Sequence, residues 1–297
     1  MQDTLLQIML YLSVFISGLF FGSFLNLVSD RIINKKSILF GRSICDFCEK
    51  ALRPLHLVPL FSYLFQRGKC AFCKKKLSKY YPLSELLTGF LFVGAAYLTN
   101  VFKELNFFSV LGFFYFLVML SFYVVLFLTD LKYKLLPNKV VYSAIIFAAS
   151  FLVITTIVSF GVLYYRLVND SFGAYLLEAG YFNQQVLVAA KGIGTIFLSA
   201  FGIGLFFWLL VFITKGRGMG GGDIKLGFLI GIVNGFPFNV IAIFLGFIIG
   251  AVYSVSLILL KKKTMKDTIA FGPFLILGSI IAIVWGPYIW NWYTSLL

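Results

Sequence analysis

The sequence predicts an all-α polytopic membrane protein, with about eight transmembrane helices and a small zinc-binding cytosolic domain between the first two. Three observations carry that expectation. Of the 297 residues, 61% are hydrophobic and only 12% charged, and the mean hydropathy is +0.97, a balance that a soluble domain cannot cover with polar surface. The apolar residues gather in long runs, and about 20 such residues cross the hydrocarbon core as a helix. The four cysteines all fall in one hydrophilic stretch, as two Cys-x-x-Cys pairs.

The runs place spans near 5–28, 82–100, 107–129, 139–163, 187–214, 224–236, 237–260 and 269–293. The first 30 residues lack a basic region ahead of their apolar run, so that run is read as a permanent span and not as a cleaved signal peptide. The sixth span is short and closes in "NGFPFN". Residues 1–29 then form the first membrane helix, 30–81 a cytosolic domain and 82–297 a membrane domain. The formal net charge of +14, from 25 basic and 11 acidic residues, suits either nucleic acid or the cytoplasmic loops of a membrane protein. Distribution decides between them. On the eight-span arrangement 22 of the 25 basic residues share one face: 12 in 30–81, 3 just past Asp130, 3 from Lys215 to Lys225 and 4 in 261–268. By the positive-inside rule that face is cytosolic and both termini lie outside. The expected partner is therefore the bilayer, with no nucleic acid. The one sizeable outside loop, 164–186, contains acids and aromatics but no recognisable chemistry.

Cys45, Cys48, Cys70 and Cys73 form two pairs separated by 21 residues. Each pair can grip one ion from a tight turn, and two such turns complete a tetrahedral thiolate site suited to Zn²⁺. Disulfides are the structural alternative, disfavoured on a reducing cytosolic side, and unpaired free thiols are the bland one. The stretch is too polar and small to build much of a core, so a metal staple is the natural device. His56, the single histidine, is a loop residue or an auxiliary to the metal.

Among the acids, Glu85, Asp130 and Asp223 lie close to the membrane. Asp130 closes the third span in "VVLFLTDLKYKLLPN", and Asp223 opens the sixth after the glycines of "GMGGGDIKL". Both fall at cytosolic span ends, hence at one depth. A carboxylate at a span end is often only a cap or a snorkelling group. Two aspartates at one depth are also what an aspartic protease needs, since neighbouring like charges share a proton and divide the roles of base and acid. Gly220, Gly221 and Gly222 serve either as a hinge or close-packing element, or as a place where substrate or helix backbone approaches Asp223. Glu85, in "YYPLSELLTGFLF", is either a helix-start carboxylate favoured by the dipole or a substrate contact. With one histidine outside the spans, HExxH zinc and Ser-His chemistry have no supply. A transporter or assembly scaffold would place acids at mid-span and broken helices in matching halves; neither pattern is clear.

Taken in order, "GSFLNLVSDR" (22–31), "RSICDFCEKAL", "VPLFSYLFQRGKCAFCKKKLSKYYPLSELLTGFLF", "TDLKYKLLPN", "GMGGGDIKL" and "FGPFLILG" (271–278) make the chain resemble the bacterial type IV prepilin peptidases, bifunctional leader peptidase and N-methyltransferase enzymes of the GxGD aspartic membrane protease family. The resemblance covers nearly the whole chain. It implies that Asp130 and Asp223 are the catalytic aspartates, with Gly220, Gly221 and Gly222 supporting the second, and that Cys45, Cys48, Cys70 and Cys73 bind zinc. It further implies cleavage of a basic leader from prepilins or pseudopilins at the cytosolic face of the bacterial inner membrane, then methylation of the new N-terminus from S-adenosylmethionine. No glycine-rich Rossmann signature marks where that donor binds. The chain departs from the pattern at Asn138, where Pro-Asp usually stands, and at Asp46 and Phe47, where proline often follows the first cysteine. A presenilin-like protease is the nearer rival, and the cysteine stretch and FGPF count against it.

Overall fold

A computed structural model describes residues 2–38, 40–45, 47–216, 219–264 and 267–296. Asp46 and Gly218, named above, lie outside them. Two compact units divide the chain, Met1–Pro137 and Asn138–Leu297. The described residues form helices and connecting turns with no strand; extended pairing is confined to two isolated antiparallel bridges.

The first unit contains α1 (Gln2–Ile33), α2 (Phe61–Phe65), α3 (Tyr80–Leu98) and α4 (Phe107–Tyr133). Helices α1 and α3 come together along a row of one residue per turn: Gly18, Gly22 and Asn26. A Cβ at Gly18 would stand 2.7 Å from Gly89 Cα, and one at Gly22 2.9 Å from Glu85 Cα, so the two backbones touch. In lipid an apolar side chain gains little by leaving one greasy neighbour for another, and small residues that permit such approach supply the attraction. One turn further, the buried Asn26 amide donates to Ser84 Oγ at 2.7 Å. Helix α4 starts in a capping box, Asn106 Oδ1 accepting from Ser109 N at 2.8 Å. It stops where Lys134 turns left-handed and donates to the Asp130 carbonyl at 2.8 Å, just ahead of Pro137.

The second unit contains α5 (Asn138–Asn169), α6 (Ser171–Glu178), α7 (Tyr181–Ile213), α8 (Gly221–Asn234), α9 (Phe238–Leu259) and α10 (Gly272–Thr294). Its close pairs use the same device. A Cβ at Gly231 of α8 would lie 2.5 Å from Ala200 Cα of α7, and one at Gly246 of α9 would lie 3.1 Å from Leu275 Cα of α10. Buried amides add polar ties between helices: Asn239 Nδ2 donates to Ser199 Oγ at 2.8 Å and Asn234 Nδ2 to Ser279 Oγ at 2.6 Å.

Seven helices are long and apolar enough to cross a membrane: Thr4–Ile33, Tyr80–Leu98, Phe107–Tyr133, Asn138–Asn169, Tyr181–Ile213, Phe238–Leu259 and Gly272–Thr294. The sixth segment expected from sequence is also helical, as α8. Its 14 residues, however, extend only about 21 Å, against a hydrocarbon core of about 30 Å. Leu226, Leu229 and Ile230 of α8 are wholly buried; a helix sheathed in protein has no lipid thickness to match. The stretch 164–186, expected as a loop, is mostly helix. Helix α5 runs on to Asn169, Asp170 caps α6 by accepting from Gly173 N at 3.2 Å, and α7 already begins at Tyr181. Polar residues shortened the expected spans at positions where the helices continue past the apolar core.

The glycine contacts predict that Gly22→Val destabilises the protein by about 1–3 kcal/mol, as the midpoint of thermal unfolding in detergent would register. Gly94→Val, where a Cβ meets nothing within 4 Å, is the control expected to be nearly neutral.

Candidate active site and metal centre

The cysteine stretch is built as two copies of one turn. Residues 43–52 (SICDFCEKAL) and 68–77 (GKCAFCKKKL) align without a gap. Cys45 N donates to Lys50 O and Cys70 N to Lys75 O, while Leu52 N returns to Ser43 O and Leu77 N to Gly68 O. In both copies the residue after the second cysteine, Glu49 or Lys74, has positive φ, 54° and 58°. The copies also exchange side chains: Lys75 lies over Phe47 at 4.8 Å and Lys50 over Phe72 at 5.7 Å. This internal repeat was visible in the sequence as CxFCxKxL, and the Cys-x-x-Cys reading alone did not use it.

The repeat brings the four sulfurs within 4.8 Å of one another. Cys45 and Cys73 Sγ are 4.0 Å apart, near the roughly 3.8 Å edge of a tetrahedron with metal–sulfur bonds of about 2.3 Å and far from the roughly 2.05 Å of a disulfide. All four are free thiols. Their acidities diverge. The Cys73 backbone amide, helped by that of Phe72, draws Cys70 down to about 7 against the effect of burial. At Cys48 the Lys50 amide also pulls downward, but desolvation and the thiols of Cys45 and Cys73 together push it up to about 11. Four sulfurs this close cannot all ionise unless a cation joins them, so the donor set fits a metal ion. His56 stays outside the cluster, with Nδ1 accepting from Arg53 N at 3.4 Å and its ring edge-on to Phe72.

Between this module and the ends of α1, α3 and α4 lies a cavity of about 660 Å³, and charged side chains shape its walls. Arg31, in the last turn of α1, donates to the carbonyls of Ser37, Ile38, Phe40 and Gly41 at 2.8–3.0 Å, wrapping that loop around its guanidinium. Asp30 beside it accepts from Lys132 Nζ at 2.8 Å and Tyr133 Oη at 2.9 Å, tying α1 to the last turn of α4. Glu85 is buried in α3, where its Oε2 accepts from Leu60 N at 2.9 Å. Leu60 has φ +58°, a strained conformation for a residue with a side chain, so Glu85 anchors a bent loop. Sequence reasoning quoted "GSFLNLVSDR" without giving Asp30 or Arg31 a task, because each acts through residues distant in the chain.

Asp130 belongs to the first unit and is buried in the last full turn of α4, behind the buried run Tyr123–Leu126 and Leu128–Thr129. Asp223 belongs to the second unit and is buried in the first turn of α8, at position N3. Its Oδ2 accepts from Gly220 N at 3.1 Å, so the carboxylate caps its own helix. Gly220 has ordinary extended dihedrals, a Cβ there would come no closer than 3.8 Å to Asp223 Oδ2, and one at Gly221 would meet nothing. The unit's own packing therefore does not demand glycine at either place. Asn138, where the resemblance expects aspartate, accepts from Lys225 Nζ at 2.8 Å, and the same ammonium lies 5.0 Å from the Tyr142 ring.

An integral membrane enzyme, helical throughout its spans and stapled by a four-thiol module, is the class that these features define. Residues 16–99 match the bacterial peptidase A24 N-terminal domain and 163–255 the type IV leader peptidase family; Asp130 falls between the two matches. A prepilin leader peptidase/N-methyltransferase of Bacillus subtilis is 32% identical over 283 residues, 95% of this chain and 97% of that protein. Proteins of the same description from Aeromonas salmonicida and Pseudomonas aeruginosa are 28% and 27% identical, over 96% and 93% of this chain and 94% and 90% of theirs. No solved structure matches. The chain belongs to the prepilin leader peptidase/N-methyltransferase family, and is a membrane-bound peptidase and methyltransferase.

If Glu85 acts by holding the Leu60 amide, Glu85→Gln should keep near-normal resistance of the 30–79 stretch to limited proteolysis, while Glu85→Ala should be cut at least several-fold faster. Faster cutting of the glutamine variant would show that the negative charge, and not its acceptor oxygen, matters.

Proposed function

We propose that the protein is an aspartic endopeptidase that removes the basic leader from type IV prepilins or pseudopilins, and that it methylates the new N-terminal residue from S-adenosylmethionine. One observation carries the reading: in a chain of this family, two aspartates, Asp130 and Asp223, are buried at the ends of apolar helices. Such placement is costly unless the carboxylates share a proton or perform chemistry. In the proposed mechanism one aspartate is ionised and takes a proton from water as its oxygen attacks the scissile carbonyl. The other is protonated and donates to the carbonyl oxygen. Collapse of the tetrahedral intermediate expels the amine, which leaves with a proton returned by the first.

The substrate geometry agrees with this. A basic leader stays in water while the apolar helix after it lies in the bilayer, which puts the scissile bond at a membrane face. Lys and Arg clustering in the loops that carry Asp130, Asp223 and the cysteines supports a cytosolic position for that face, in the inner membrane, with both termini outside. The room around Gly220 and Gly221 supports approach of substrate backbone to Asp223, and Glu85 remains a candidate neighbour of the substrate. The thiol cluster is assigned to structural Zn²⁺: a closed four-sulfur site leaves no position for catalysis and stabilises a module too small for its own core.

Asp130→Asn and Asp223→Asn should each reduce leader removal by about 10³-fold or more without loss of folded protein; mass spectrometry of a co-expressed prepilin reads this directly, and wild-type processing by either variant would refute the dyad. Metal analysis of purified protein should find about one Zn²⁺ per chain, lost in Cys45→Ser together with Cys70→Ser.

A further inference from the structure

We propose that the cavity of the first unit is the methyl-donor site, taking S-adenosylmethionine and releasing S-adenosylhomocysteine; this rests on the methyltransferase reading above. Its volume of about 660 Å³ lies within the roughly 300–1,000 Å³ typical of sites for ligands of this size. The cavity is a built one. The Arg31 guanidinium orders one wall through loop carbonyls, Glu85 holds another through Leu60, and the Asp30, Lys132 and Tyr133 cluster closes α1 against α4.

The lining chemistry selects among occupants. Two carboxylates, Asp30 and Glu85, face four permanent cations, Arg31, Lys36, Arg42 and Lys132, the wrong sign for a basic leader peptide. A ligand carrying one carboxylate, one ammonium, a ribose diol and a sulfonium finds a counterpart for each. Lys36 and Arg42 suit the carboxylate, Asp30 and Glu85 suit the ammonium and hydroxyls, and the Tyr81 and Tyr133 rings suit a sulfonium or an adenine face. Position agrees as well. Lys132 and Tyr133 line the cavity and follow Asp130 by two and three residues, about 3–5 Å along the helix axis. An amine released by cleavage beside Asp130 therefore emerges next to the donor. Transfer balances simply: the lone pair of the neutral amine forms the N–CH₃ bond, the S–CH₃ pair stays on sulfur as the thioether, and the nitrogen gives its surplus proton to water.

Isothermal titration of S-adenosylhomocysteine into the full-length, zinc-loaded protein in detergent tests the assignment. Wild type should bind one equivalent, and Leu27→Trp and Ser62→Trp, which fill the cavity from α1 and from α2, should each weaken binding at least tenfold while retaining metal and melting temperature. If both bind as tightly as wild type, the donor sits elsewhere and the assignment is overturned, with the methyltransferase reading intact. If they bind normally but no longer cleave, the cavity holds the leader, which overturns it too. A wild-type protein that binds no S-adenosylhomocysteine also overturns it; if the cleaved N-terminus is then unmethylated as well, the methyltransferase reading fails with it.

Discussion

Backbone-to-backbone approach at glycine is the contact on which this architecture depends. In a bilayer the hydrophobic effect inserts helices but does not pair them, because lipid tails are as apolar as leucine. Pairing must come from close packing and a few hydrogen bonds. Gly18, Gly22 and Gly89 supply the approach between α1 and α3, and Gly231 and Gly246 repeat it in the second unit. Wherever the helices touch in this way, a buried amide stands nearby: Asn26 on Ser84, Asn239 on Ser199 and Asn234 on Ser279. The glycines permit the distance, and the amides then fix register along the pair.

Charge is rationed accordingly. The ionisable residues of the first unit collect at one end of its helices, and several are used to shape it. Arg31 spends its donors on loop carbonyls, Glu85 spends an oxygen on a strained leucine amide, and Asp30 joins two helices through Lys132 and Tyr133. Each satisfies backbone or charge that would otherwise be stranded at the edge of a low-dielectric region. The consequence is a polar cavity held open beside the turn of α4 that carries Asp130. The thiol module forms the remaining wall, and its two copies of one turn, related through reciprocal lysine–phenylalanine contacts, give four sulfurs a common centre without needing a core.

Much of this was legible because it is local or compositional. Span length, basic asymmetry and Cys-x-x-Cys spacing follow from what a helix, a bilayer and a metal require of neighbouring residues. Helix ends were less legible. The 164–186 stretch carries polar residues that break an apolar run without breaking a helix, and α8 is too short to cross a bilayer by itself because protein surrounds it.

The sequence by itself determined an all-helical membrane protein, the four metal-ligating cysteines, and the carboxylates worth testing, since each of these is written in residue type and spacing. Only the tertiary structure decided what Asp30, Arg31 and Glu85 do and that a cavity exists between them. Those roles are partnerships across dozens of residues, Asp30 with Lys132 and Glu85 with Leu60, and no periodicity along the chain encodes which distant amide or ammonium a carboxylate will meet.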